Sequence, residues 1–248
     1  MRIAAFGDLH GDRYMEFLLP SLGELAKIDL MLLAGDLADK NDLDSFAKTI
    51  GVLRQSTSAP IVSVFGNEEY SQDHDEYRSR FPIEFLDDES ITLDIDGLSL
   101  KIVGTQGSLD RPTWWQRTNL QDIWRVYKER VQRTSELLVK GREDILILLM
   151  HYSPTYLTME GENENRFPEM GSKMFEGVIK QRKPDIVIHG HVHKGREGAE
   201  IFETQRSLED FGEIQKKVPV INVTLPAIQR VTILELERDH DGVHITRI

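Results

Sequence analysis

Short apolar runs, each closed by a polar cluster, set the rhythm of this chain. Residues 2–6, 29–34, 60–65, 144–150 and 184–188 are continuous and apolar-rich, which reads as buried strands of a parallel sheet. Between them the apolar spacing turns helical. Phe17, Leu18, Leu22 and Leu25 share one face of residues 14–25, where Pro20 predicts a kink or two short helices. Residues 42–53 put Phe46, Ile50 and Leu53 on one face, and 73–80 read as a short charged helix. A long amphipathic helix is expected over 118–140, with Ile123, Val126, Tyr127, Val131 and Leu138 inward, and a short one over 174–181.

Other stretches read as antiparallel β-structure or loop. Asp96-Gly97 between the alternating runs 91–95 and 98–103 predicts a hairpin, and 84–86 a short strand. Residues 218–224, 227–236 and 242–248 are β-rich and are expected to form a mostly antiparallel meander closing a second sheet. The segment 158–172 reads as a long polar loop beside a site, and the stretch from His193 to about Lys217 as an irregular insertion. With no repeat, linker or low-complexity tract, 1–248 is expected to be a single domain.

Composition narrows the function. No apolar run approaches a membrane span, and the N-terminus lacks a secretory pattern. Cysteine is absent, which excludes thiolate chemistry, restricts any metal to N and O ligands and points to the cytoplasm. A net charge of −12 argues against a broad duplex nucleic-acid surface. Acidic residues around divalent cations account for part of that charge and leave room for a small anionic substrate.

The candidate chemistry sits where the apolar runs end. Asp8 and His10 follow the first, Asp36 and Asp39 the second, Asn67, Glu68 and Glu69 the third, and His151 the fourth. The fifth delivers His189, His191 and His193 around Gly190. Each cluster has an ordinary reading: Asp8 or Asp12 as a helix cap, His151 as a structural histidine, the last as a His-rich turn. Their repetition at successive strand ends, where open α/β sheets place their sites, favours a metal centre. Trp114 and Trp115 either pack against the following helix or form a wall of the pocket on which an aromatic group stacks.

These motifs, Asp8-x-His10, Gly35-Asp36-x-x-Asp39, Gly66-Asn67-x-Glu69, His151 and Gly190-His191-x-His193, together resemble the calcineurin-like metallophosphoesterase family from Asp8 to His193. The resemblance implies a four-layer α/β/β/α sandwich of two mixed β-sheets flanked by helices. It also implies two divalent ions (Mn, Fe, Zn or Ni). Asp8, His10, Asp36 and His193 would hold one, and Asp36, Asn67, His151 and His191 the other. A hydroxide bridging the ions would be the nucleophile. Asp39, Glu69 and His189 are expected to support the ligands rather than join them. Many members carry a histidine, credited with protonating the leaving group, where this chain has Glu68. Beside two cations a carboxyl group favours its charged form, so Glu68 is expected to point away rather than replace it. The implied activity is a phosphodiesterase more than a monoesterase, on small or nucleotide-like phosphodiesters, with no membrane partner and a homo-oligomer left open. Two other readings fit the same residues: an inactive scaffold for protein interaction, and a single-strand nuclease.

Overall fold

The computed structural model describes residues 1–205, 214–239 and 242–248. β1 (Arg2–Phe6) is followed by α1 (Met15–Leu18), a 3-10 turn over Leu19–Ser21, and α2 (Leu22–Leu25). Pro20 lies in that turn and divides the helix, as its missing N–H requires. Next come β2 (Leu30–Leu33), α3 (Leu43–Ser56), β3 (Ile61–Val64), α4 (His74–Arg80) and β4 (Glu84–Leu86). The hairpin of β5 (Glu89–Ile95) and β6 (Leu98–Thr105) turns at Asp96 and Gly97, both at positive φ, as a two-residue turn of this kind demands. Then follow α5 (Trp114–Asn119), α6 (Ile123–Leu137), β7 (Ile145–Met150), α7 (Met174–Arg182) and β8 (Ile186–His189). The chain closes with β9 (Gly198–Gln205), β10 (Ile214–Asn222), α8 (Leu225–Ile228), β11 (Thr232–Asp239) and β12 (Gly242–Arg247).

Two six-stranded mixed sheets result, in the orders β12-β11-β1-β2-β3-β4 and β5-β6-β7-β8-β10-β9. β1 to β4 run parallel, as do β6, β7, β8 and β10. Strand alternation then builds the layers. Ile3, Ala5, Leu30, Leu32, Val62 and Val64 form one core with Leu100, Ile102, Ile147 and Ile188 of the other sheet. Ala4, Phe6, Met31 and Leu33 point the other way, onto Leu18, Leu25, Phe46 and Leu53 of α1–α3. On the opposite flank Val103, Leu146, Leu148 and Val187 pack on Phe175, Val178 and Ile179 of α7. The expected helix–sheet–sheet–helix sandwich is therefore present. No helix among the described residues is long and apolar enough to cross a membrane.

Three expectations need correction. The C-terminal strands do not form one meander. β10 joins β8 in parallel, whereas β11 crosses to the first sheet and pairs antiparallel with β1, Ile3 opposite Leu234. The crossing is made by α8, with Pro226 in its first turn, and by Gly7 and Thr224 bridging the two sheets. The helix expected over 118–140 is two helices, broken at Leu120–Asp122, where Asp122 takes a left-handed φ of 52°. α5 starts at Trp114 because Thr113 and Gln116 form a reciprocal capping box there. Finally, the stretch after His193 contains β9 and the start of β10; residues 206–213 of it lie outside the described residues. The segment 158–172 holds a 3-10 helix over Glu164–Glu169, and Thr158, Met159 and Ser172 are buried.

Candidate metal centre

Backbone hydrogen bonds lock the loop after β1 to the loop after β2. Asp8 N–H donates to Gly35 O at 2.9 Å, His10 N–H to Asp36 O at 3.0 Å and Gly11 N–H to Leu37 O at 2.8 Å. Asp8, His10, Asp36 and His191 all take left-handed φ, between 51° and 69°. Non-glycine residues there are uncommon and persist where surrounding structure enforces them. Part of that enforcement is Glu69. Its buried carboxylate accepts from the N–H groups of Asp36, Leu37, Ala38 and Gly66, at 2.7–2.9 Å. One side chain thus ties the β2 loop to the β3 loop. Gly66 completes the join, because a Cβ there would collide with the Asp36 carboxylate.

Within this frame the acceptor atoms converge. One ligand atom from each of Asp8, Asp36, His151 and His191 lies within 4.8 Å of the others. The same holds for Asp8, His10 and His193, and for His10, Asp36 and Glu68. His151 Nδ1 donates to Ala34 O at 2.8 Å. That bond leaves Nε2 a lone pair, and Nε2 faces Asn67 Oδ1 at 3.2 Å and Asp36 Oδ2 at 3.5 Å. His10 Nε2 is buried with no hydrogen-bond partner, 3.9 Å from Asp36 Oδ2. Buried polar atoms ordinarily find partners, and an unpartnered imidazole nitrogen facing a carboxylate oxygen is what a cation satisfies. Carboxylate oxygen, amide oxygen and imidazole nitrogen suit first-row divalent ions. The residues present therefore fit such ions, with Asp8 shared by the first two clusters and Asp36 by the first and third.

The electrostatics agree. Burial pushes Asp36 well above the usual carboxylate range, and Glu69 and Asp8 add repulsion. At Asp8 burial works upward, but the His193 hydrogen bond and the nearby imidazoles hold the group well below that range. Burial lowers His10 and His189 to about 4, and lowers His191 well below the ordinary 6.5. At His193 burial works downward, yet the bond to Asp8 at 2.9 Å lifts it above 6.5. His10 and His191 are therefore neutral near pH 7, the form that ligates.

All seven expected ligands come together, from five strand ends. The supporting residues divide. Glu69 holds the loops as described, Asp39 meets Arg13 at 3.5 Å, and buried His189 donates from Nδ1 to Gly190 O. Glu68 does not point away. Its carboxylate lies beside His10 and Asp36, steered there by the Lys40 N–H at 2.9 Å. The tryptophans do not pack inward: Trp114 is 71% and Trp115 57% exposed. Trp115 lines a cleft of about 1160 Å³ that also reaches His10, Asp36, Asn67, His191 and His193; Trp114 is not among its lining residues. Sequence reasoning missed Tyr152. Its ring packs on those of His151 and His191, and its hydroxyl accepts from Gln116 Nε2 at 3.2 Å. Its position directly after His151 was the available signal.

The profile of the calcineurin-like phosphoesterase family matches residues 1–195. No curated protein matches the sequence. Among solved structures, phosphopantetheinyl hydrolase from Mycobacterium tuberculosis is similar at 15% identity and a TM-score of 0.57, over 90% of this chain and 89% of that one. The protein TT1561 of Thermus thermophilus is similar at 18% identity and a TM-score of 0.56, over 99% and 97%. The sulfate thiohydrolase of Thermus thermophilus is similar at 12% identity and a TM-score of 0.55, over 99% of this chain and 55% of its own length. At such identities the likeness is one of fold.

Proposed function

The chain belongs to the calcineurin-like phosphoesterase family, and from that membership we propose a two-ion phosphoric ester hydrolase that favours phosphodiesters over monoesters. The observation that carries the reading is the meeting of His10 Nε2, Asp36 Oδ2, Asn67 Oδ1 and His151 Nε2, with distances of 3.2–3.9 Å to Asp36 or His151. Asp8, His10, Asp36 and His193 would hold one ion, and Asp36, Asn67, His151 and His191 the other. Two such ions, when bound, activate water and neutralise phosphate charge. The chain's own part is to hold those ligands rigid: Glu69 fixes the Asp36 loop, and Ala34 O fixes the His151 tautomer.

Glu68 supports the preference for diesters. Its carboxylate stands beside His10 and Asp36, next to where a phosphate held by the ions would lie. A monoester dianion is repelled there more than a diester monoanion. The test is hydrolysis of an aryl phosphodiester and its monoester by metal-stripped protein supplied in turn with Mn²⁺, Ni²⁺, Zn²⁺ and Mg²⁺. Metal-dependent cleavage is expected, faster for the diester, and Asp36→Asn should abolish both activity and ion binding. Silence with every ion, in folded protein, would leave the scaffold reading in its place. Glu68→Gln should improve monoester relative to diester by about fivefold, matching about 1 kcal/mol between unit charges at 4 Å in water.

A further inference from the structure

The cleft above the metal centre is far larger than a phosphate group needs. Its volume of about 1160 Å³ exceeds the roughly 300–1,000 Å³ typical of pockets for drug-sized ligands. Away from the ligand loops, its wall is made by α5 and the start of α6, where Trp115, Leu120, Ile123 and Val126 line it. Trp115 and Leu120 are exposed although both are large and apolar. Two exposed apolar side chains lining one cleft with half-buried Val126 and buried Ile123 give that wall its apolar character.

The wall is built into the site. Gln116, beside Trp115, closes the capping box of α5 and donates to the Tyr152 hydroxyl. The Tyr152 ring rests on His191 at 4.8 Å between centroids. The helix that carries Trp115 is therefore joined to the metal centre through the Gln116 and Tyr152 side chains. Arg13, Lys40 and Lys194 line the cleft from the ligand loops; on the side of α5 and α6 the charges argue for a neutral occupant. Arg130 and Arg166 also line the cleft, but Asp88 takes the first at 3.0 Å and Glu169 the second at 3.7 Å. Neither is a spare cation for a second phosphate.

We propose that one ester arm of the substrate is uncharged and apolar, and that it lies along Trp115, Leu120, Ile123 and Val126. The proposal rests on the phosphoesterase reading above, and the test separates the two. Methyl and octyl p-nitrophenyl phosphate share a leaving group and differ only in the other arm. With metal-loaded protein, kcat/KM for the octyl diester should exceed that for the methyl diester at least about tenfold, from partial burial of the added methylenes. Trp115→Ala and Leu120→Ala should each lower kcat/KM more for the octyl than for the methyl diester and so erode that selectivity. Trp124→Ala, at a residue 50% exposed and outside the cleft lining, should change neither. Equal rates for the two diesters, or equal losses for both in Trp115→Ala, would overturn the proposal. Should neither diester be cleaved with any ion, the hydrolase reading fails, and calorimetry decides the arm. Octylphosphonate should then still bind at least about tenfold more tightly than methylphosphonate, and equal affinities would sink the idea.

Discussion

Glu68 and Glu69 are neighbours of one residue type with opposite duties. Glu69 is buried and takes four backbone N–H groups, while Glu68 turns to the centre with Lys40 N–H on its carboxylate. Nothing in the two letters assigns these directions. They follow from which loop amides lie on which side, and all of those amides but that of Gly66 belong to residues some thirty positions away. Replacing a charged acceptor by an amide leaves buried donors facing an NH₂ group. Glu69→Gln should therefore cost about 1–3 kcal/mol in urea unfolding and weaken ion binding about 10–100-fold by calorimetry. Ion binding unchanged in a destabilised variant would mean that Glu69 serves the fold alone. Asp36 permits a second residue-level test. Its raised pKa favours the protonated form in ion-free protein, while His10 and His191 are already neutral. Ion uptake then competes with protons on Asp36 and on His193, whose pKa is also raised. Calorimetry in buffers of different ionisation enthalpy should show net proton release, growing as pH falls below neutral. No release at any pH would place those protons elsewhere.

At the scale of elements, the strand ends were legible because a parallel strand buried on both faces leaves a continuous apolar signature. The polar residues that end it then stand out at one edge of the sheet. β1, β2, β3, β7 and β8 all carry that signature, and each is followed by candidate ligands. Partner choice was not legible. Residues 218–224 and 232–239 are equally β-rich, yet one pairs with β8 and the other with β1. Apolar content says that a strand is covered and not which sheet covers it. The break between α5 and α6 was hidden for a similar reason: helical spacing continues through Leu120–Asp122, and only the backbone, extended at Leu120 and left-handed at Asp122, interrupts it. Where two elements meet closely, the sequence marks the place with glycine. Gly66→Ala would set a Cβ against the Asp36 carboxylate and amide. The two loops must then separate. The expected result is a cooperative melt with ion stoichiometry reduced, read by metal analysis after desalting. Full stoichiometry would show that the loops can part without disturbing the ligands.

The whole molecule carries a net charge of −12, and some of it is concentrated where two sheets meet. Asp8 and Asp36 are buried and repel each other, and Glu69 repels Asp36 as well. Folding gathers these carboxylates, with the His193 bond to Asp8 as a partial offset. An ion that binds the folded state and not the unfolded chain should therefore stabilise strongly. Occupancy at a hundred times Kd adds about 2.7 kcal/mol, which for a chain of this size raises Tm by about 5–10 °C. Chelation should lower Tm by that amount, and adding back the ion should restore it. The gap should depend on pH in a definite direction. Because the folded pKa of Asp36 lies above its unfolded value, the ion-free protein gains stability from this group as pH falls. Protons and ions compete for the same carboxylate, so the difference between ion-loaded and ion-free Tm should shrink as pH is lowered. Widening as pH falls would mean that Asp36 is not where proton and cation compete, and the shared-ligand assignment would have to move to Asp8.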